Sequence, residues 1–283
     1  MTNSTSAAPA KLNLPGQLLL VGCGKMGGAL LRGWLKRGVA GRDVFAVDIK
    51  PSGLEDVQAA GVTVVTGAAD LPAGLKPAIV LLAVKPQFMD EALPGVRRFV
   101  QPGTTFLSIA AGKTVAYFKQ QLGAGAQVVR AMPNTPAAVG RGMTVICRDP
   151  LVPADRLALC GALLGAVGEV EWVEDEGLLN QVTAVSGGGP AYVFLLIECL
   201  AEAGRANGLP ADLAMKLARV TVCGSGELGF QSAESAAQLR QNVTSPKGTT
   251  LEALNVLMAP DGLQPLLTRA IAAATRRSRE LAG

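Results

Sequence analysis

The feature that most restricts this chain is a strand, a glycine loop and a helix in immediate succession. Gln17-Leu18-Leu19-Leu20-Val21 is a short apolar run of buried-strand character. Gly22-Cys23-Gly24-Lys25-Met26-Gly27 follows without a gap, and Ala29, Leu30, Leu31, Trp34 and Leu35 then recur at helical spacing up to Gly38. GxGxxG alone is a weak signal. Here it closes a strand, opens a helix and precedes an acidic residue, Asp48, at the end of the next apolar run, Val44-Phe45-Ala46-Val47. That context is the dinucleotide-binding pattern: Gly22 permits the tight turn, Gly24 lets a pyrophosphate reach the backbone, and Gly27 lets helix and strand pack closely. Cys23 and Lys25 are expected to point out from the loop, where Lys25 either touches a phosphate or is a plain surface lysine. Asp48 suits a ribose 2′-hydroxyl, while Lys50 and Ser52 lie close enough to offset its repulsion of a 2′-phosphate, so NADH and NADPH both stay open.

Residues 62–65, 78–84, 105–109, 127–131 and 170–173 read as further strands, several of them separated by helical stretches. Such alternation means a parallel sheet covered on both faces. Two later loops end strands on the same edge: Ala83-Val84-Lys85-Pro86-Gln87 and Ser108-Ile109-Ala110-Ala111-Gly112. Ligands of open α/β sheets bind at the carboxyl ends of strands. Ala110 and Ala111 are small enough for a flat nicotinamide to lie close, and Pro86 holds Lys85 at that edge or in solvent. Arg130-Ala131-Met132-Pro133-Asn134-Thr135-Pro136 is a rigid turn, either a wall of the ligand cleft or purely structural.

The second half is helical. Helices are expected over residues 176–183, 190–208, 209–229 with Pro210 in the first turn, 235–242, 249–258 and 261–281. Runs such as residues 191–203 are apolar on more than one face, which suits burial against a partner subunit. Ser186-Gly187-Gly188-Gly189-Pro190 is a flexible entry to one of these helices. Val243-Thr244-Ser245-Pro246-Lys247-Gly248-Thr249-Thr250 carries four hydroxyls and one cation just before the helical run Leu251, Leu254, Leu257, Met258. A helix N-terminus has unpaired N–H groups and a positive dipole end, so added hydroxyls make a site for a small anion such as a carboxylate. The expected fold class is α/β: a tail over residues 1–16, a Rossmann-like dinucleotide-binding domain over 17–173, and an all-α C-terminal substrate and dimerisation domain over 174–283. A cleft between the two domains is the expected place for hydride transfer.

Composition removes other chemistries. The chain has no histidine, which excludes Ser-His-Asp, Cys-His and His-ligated zinc mechanisms, and no metal is expected. Five cysteines without a CxxC pair read as small buried residues in a reducing compartment, hence a cytoplasmic protein. The 26 basic residues are scattered and net charge is only +4, which argues against nucleic acid; Arg269, Arg276, Arg277 and Arg279 read as a solvated helix face. The longest apolar run, residues 78–84, is too short to span a bilayer.

Taken in order, Gly22-Cys-Gly-Lys-Met-Gly, Ala83-Val-Lys-Pro, Ala110-Ala-Gly, Arg130-Ala-Met-Pro-Asn-Thr-Pro, Ser186-Gly-Gly-Gly-Pro-Ala-Tyr-Val-Phe and Val243-Thr-Ser-Pro-Lys-Gly-Thr-Thr resemble the pyrroline-5-carboxylate reductase family over nearly the whole chain. The resemblance implies reduction of L-1-pyrroline-5-carboxylate to L-proline with NADPH or NADH, NADPH being slightly favoured, and a homodimer often assembled further to a decamer. It implies that Gly22, Cys23, Gly24, Lys25, Met26, Gly27, Asp48, Ala83, Val84, Lys85, Pro86, Ala110, Ala111 and Gly112 hold the cofactor. Glu176, Asn242, Ser245, Thr249 and Thr250 would meet the substrate, a small molecule bearing a carboxylate, with Thr250 near the ring nitrogen as the catalytic group. The chain departs from the family pattern at Lys247 (usually Gly), Gly188 (usually Ser) and Gln241 (often Asp). A Gly in such a turn supplies a backbone shape that Lys adopts only at a cost. Rival readings are an imine or 3-hydroxyacid reductase of the same architecture, or a non-catalytic nucleotide-binding homologue.

Overall fold

The structure is a computed structural model that describes residues 11–149 and 151–282. The chain divides into two compact units. The first runs to Gly187 and takes back the last turns of the C-terminal helix from Thr275; the second is residues 188–274.

The first unit is built on one eight-stranded sheet. Its elements are β1 (Gln17–Val21), α1 (Lys25–Lys36), β2 (Val44–Val47), α2 (Glu55–Ala59), β3 (Thr63–Val65), β4 (Pro77–Leu82), α3 (Met89–Val96), β5 (Thr105–Ser108), α4 (Val115–Leu122), β6 (Gln127–Met132), β7 (Gly142–Cys147), α5 (Ala154–Leu164), β8 (Gly168–Val173) and the short α6 (Leu179–Val182). Strand order is β3-β2-β1-β4-β5-β6-β7-β8. The order reverses between β1 and β4, so the loops that follow these two strands flank the switch point. Central strands read as unbroken apolar runs because helices cover both faces: every residue of β4 is buried. β8 lies at the edge and alternates exposed Glu169 and Glu171 with half-buried neighbours.

Three expectations need correction here. β7 is a strand that the alternation pattern did not show, and it runs antiparallel to β6, with Arg130 opposite Cys147 and Met132 opposite Val145. The sheet is therefore mixed. No α-helix separates β6 from β7; only a 3-10 turn, Thr135–Val139, and Gly140 at φ +71° do, and so short a return forces antiparallel pairing. Residues 176–183 are not one regular helix but a 3-10 turn, α6 and the start of a π-helical turn, Thr183–Gly187, and this segment stays with the sheet unit, which runs to Gly187. Of the tail expected over residues 1–16, residues 1–10 lie outside the described residues, but Leu12 is core, 7% exposed, with its N–H donating to Arg37 O at 3.0 Å.

The second unit contains α7 (Gly189–Ala206), α8 (Ala211–Gln231), α9 (Ala236–Asn242), α10 (Thr249–Leu257) and the first part of α11 (Leu263–Ala282). Pro210 stands just before the first turn of α8, at the N-cap position and without a side-chain cap bond, whereas Ser235 caps α9 by accepting from Gln238 N–H at 3.2 Å. Gly204 lets α7 approach Ala214 of α8 closely; a Cβ there would sit 3.4 Å from that of Ala214. Large apolar side chains on these helices are exposed, among them Phe194, Leu195, Val220 and Leu228. The helical stretch Glu176–Ala206 is also long and apolar enough, by length and composition, to cross a membrane, which the search for unbroken apolar runs did not find.

Candidate active site

The three glycines after β1 do different things. Gly22 has φ +94°, and a Cβ there would lie 2.9 Å from Ala83 C and Val84 N. A Cβ on Gly27 would stand 2.0 Å from Gly22 O, so helix and turn can pack only without one. Gly24 is the N-cap of α1, has no side chain to cap the first turn, and a Cβ there would meet nothing within 4 Å. The N-terminus of α1 is thus uncapped and faces open space, which fits a pyrophosphate.

Other residues of this loop are placed less simply. Lys25 is exposed on α1. Cys23, expected to point out from the loop, and Met26 instead pack their partly buried side chains against the core. Burial, with the Asp48 carboxylate adding to it against Arg32, pushes the Cys23 thiol up to about 12. Asp48 is already engaged within the protein: Oδ2 accepts from Cys23 N–H at 2.6 Å and Oδ1 from Lys50 N–H at 2.8 Å.

The loop after β4 lies against this turn. Ala83 N–H donates to Val21 O at 2.8 Å, and Lys85 is exposed at the start of the 3-10 turn Pro86–Phe88. After β5, Ala110 is only 5% exposed and its N–H donates to the buried Ser108 Oγ at 3.2 Å. Its small side chain therefore serves packing, and Ala111 is the more open of the pair. Gly112, φ +73°, backs onto the end of α11, where a Cβ would sit 3.0 Å from Leu281 O.

Tyr117, Asp90 and Lys113, which the sequence reading did not single out, hold this edge together with the Arg130–Glu176 pair and Asn134. Tyr117 Oη donates to Asp90 Oδ1 at 2.6 Å, and Lys113 Nζ lies 4.1 Å from the Tyr117 ring centre and 4.0 Å from Asp90 Oδ2. Burial first, then the hydrogen bond to Asp90, raises the Tyr117 hydroxyl well above its ordinary pKa. Arg130, 8% exposed on β6, donates to Glu176 Oε1 at 2.8 Å, and the same oxygen accepts from Val115 N–H at 2.7 Å. The one available signal was a cation inside the apolar run Val128-Val129-Arg130-Ala131. Asn134 is a brace: Oδ1 accepts from Met143 N–H at 2.9 Å and Nδ2 donates to Ser186 Oγ at 3.1 Å.

In the second unit, Asn242 Nδ2 donates to Glu234 Oε2 at 3.1 Å and Oδ1 accepts from Gln238 Nε2 at 2.8 Å. Gly248 N–H donates to Ser245 O at 3.0 Å, closing a turn with Pro246 second and Lys247 third. Lys247 has φ +60°, the only positive φ outside glycine among the described residues. This is the type II turn pattern, whose third position favours Gly. Gly248 is the N-cap of α10 and offers no side-chain cap, so the exposed Thr249 and Thr250 open an uncapped helix beside the exposed Ser245.

Sheet, switch point and glycine loop define a Rossmann-like, dinucleotide-dependent oxidoreductase domain followed by a helical domain. Residues 17–112 match a family described as NADP oxidoreductase, coenzyme F420-dependent, and residues 176–281 match one described as pyrroline-5-carboxylate reductase dimerisation. The pyrroline-5-carboxylate reductase of Pseudomonas aeruginosa is 36% identical over 269 residues, covering 94% of this chain and 97% of that protein. That of Synechocystis is 44% identical over 203 residues, 72% of this chain and 74% of that one. The solved pyrroline-5-carboxylate reductase of Coxiella burnetii superposes with a TM-score of 0.87 at 31% identity, covering 95% of this chain and all of that one. A Plasmodium falciparum pyrroline carboxylate reductase solved with NADP bound gives 0.78 at 27% identity, over 95% of this chain and 99% of that one. The chain belongs to the pyrroline-5-carboxylate reductase family.

Proposed function

We propose that this protein reduces L-1-pyrroline-5-carboxylate to L-proline with NADPH or NADH, the last step of proline biosynthesis. The observation that carries the reading is the uncapped N-terminus of α10 beside Ser245, Thr249 and Thr250, in a chain that matches reductases of this name along nearly its whole length. That terminus binds the substrate carboxylate through backbone N–H groups and hydroxyls. Asn242 and Glu176 are assigned to the substrate by the family resemblance alone. When bound, the reduced nicotinamide supplies the hydride. Gly22, Gly24 and Gly27, with the backbone of Cys23 and Met26 and with Lys25, hold its pyrophosphate side. Ala83, Val84, Lys85, Pro86, Ala110, Ala111 and Gly112 line its nicotinamide side, and Asp48 stands at the ribose.

A protonated cyclic imine carbon accepts hydride readily, so little acid catalysis is required, which suits a chain without histidine. The Thr250 hydroxyl has too high a pKa to be a strong acid; it orients the ring nitrogen more than it protonates it. NADPH is favoured over NADH by the relative solved with NADP, and Asp48 works against that preference. Exposed apolar faces of α7 and α8, inside the matched dimerisation region, form the subunit interface of a dimer, assembled further to a decamer, and not a membrane span. The protein acts in the cytoplasm and binds no nucleic acid.

A steady-state assay with pyrroline-5-carboxylate and each reduced cofactor tests this reading. The expected result is substrate-dependent oxidation of both, faster with NADPH. Cofactor binding with no turnover of any cyclic imine would instead support a non-catalytic nucleotide-binding protein.

A further inference from the structure

The loop between β5 and α4 is held from both ends. At its start, β5 is fixed by its neighbours in the sheet. At its far end, Val115 is the first residue of α4, and its N–H donates to Glu176 Oε1 at 2.7 Å. A carboxylate at a helix N-terminus meets the positive dipole end, and a charge-assisted bond to a backbone N–H is among the stronger hydrogen bonds. The same oxygen accepts from Arg130 at 2.8 Å. Arg130 sits on a central strand between buried neighbours and is 8% exposed, so its charge requires a partner that the sheet does not supply. Glu176 comes from the turn after β8, two strands from β6 and three from β5 in the sheet order, where Asp175 caps that turn by accepting from Gly177 N–H at 2.8 Å. On the other flank, Lys113 is drawn to Asp90 and Tyr117, and Gly112 is backed by Leu281. The loop carrying Ala110, Ala111 and Gly112 is thus held at both flanks by groups of the protein itself.

We infer that Glu176 and Arg130 form a positioning pair that presets the β5–α4 loop for the dinucleotide, acting through the backbone N–H of Val115. This rests on the proposal that Ala110, Ala111 and Gly112 line the nicotinamide side, and it gives Glu176 a task other than the substrate contact that family resemblance assigns. An ordered loop binds more tightly because less ordering remains to be done on binding.

The test is equilibrium binding of NADPH, followed by fluorescence without substrate, together with KM for each substrate and kcat. Glu176→Ala removes the acceptor of both bonds and is expected to weaken NADPH binding about tenfold. Glu176→Gln keeps an acceptor oxygen and is expected to stay within about threefold of wild type. Because Glu176→Ala also strands a buried cation and threatens the fold, the double variant Glu176→Leu with Arg130→Met replaces the pair by apolar side chains of similar size. It is expected to keep a near-wild-type melting temperature while binding NADPH as weakly as Glu176→Ala. If the double variant binds NADPH like wild type, or if the single variants raise only KM for pyrroline-5-carboxylate, the inference is overturned. Absence of turnover in the wild type would refute the proposed reaction yet leave the NADPH binding series readable.

Discussion

The backbone N–H of Cys23 donates to Asp48 Oδ2 at 2.6 Å, so the turn after β1 and the end of β2 are tied by the acid that the glycine pattern assigns to a ribose. Asp48 therefore has two tasks, shaping the turn and meeting the cofactor. Asp48→Ala leaves the Cys23 and Lys50 N–H groups without their acceptor and removes a negative charge. A charge-assisted hydrogen bond contributes roughly 1.5–3 kcal/mol, so KM for NADH is expected to rise tenfold or more. KM for NADPH should rise less, because repulsion of the 2′-phosphate disappears as well. Measuring both KM values checks this, and an equal rise in the two would show that Asp48 does not discriminate.

Thr250 opens α10 with its side chain exposed. Thr250→Ala is expected to lower kcat/KM for pyrroline-5-carboxylate by about a hundredfold, the order of loss when a reacting group is no longer held in its productive geometry. The dissociation constant of NADPH should not change. Wild-type turnover in this variant would remove Thr250 from the mechanism.

Lys247 occupies a left-handed backbone conformation, φ +60°, that disfavours any side chain with a Cβ. Such a residue costs roughly 1–2 kcal/mol. Part of that returns as greater freedom of glycine in the unfolded chain, so Lys247→Gly should stabilise by about 0.5–1 kcal/mol. That corresponds to a melting point higher by roughly 1–4 °C, measured at fixed protein concentration because oligomer stability depends on it. An unchanged or lower melting point would mean that the lysine side chain makes a stabilising contact outweighing its backbone strain.

Cys160 lies in the core, and burial pushes its thiol up from 9.0 to about 12. A folded pKa raised above the unfolded value means stability that is fully present below pH 9.0 and is lost as pH rises towards 12. Thermal unfolding between pH 8 and 11 should therefore show a decline, to which the buried Cys23 also contributes, and Cys160→Ala should make it less steep while lowering the melting point by a constant amount for the lost volume. A parallel decline in wild type and variant would exclude Cys160 as its source.

Phe194 is 60% exposed on α7, among other exposed apolar side chains. In a subunit interface a charge there would be desolvated without a partner, at several kcal/mol. Phe194→Glu should lower the mass seen by light scattering towards the 29.0 kDa of one chain. A native mass for this variant would place the interface elsewhere.

Local patterning by itself determined the two kinds of structure in this chain and the loops that carry its chemistry. Strand, glycine loop and helix follow one another within residues 17–36, and the Gly at 27 has a local steric reason, the carbonyl of Gly22, whereas Gly22 is also pressed by Ala83 and Val84 from the loop after β4. Thr249 and Thr250 were readable at a helix start for the same reason, since capping and dipole effects act within one turn. Tertiary structure decided what depends on residues far apart. β7 became a strand because β6 pairs with it, not because Gly142-Met-Thr-Val-Ile-Cys demands one. Ala110 turned inward and Asp48 accepted from the Cys23 N–H of the glycine loop, and neither orientation follows from residue type. Arg130 and Glu176, 46 positions apart, meet because a buried cation must find an anion, and only the fold says which one lies within reach.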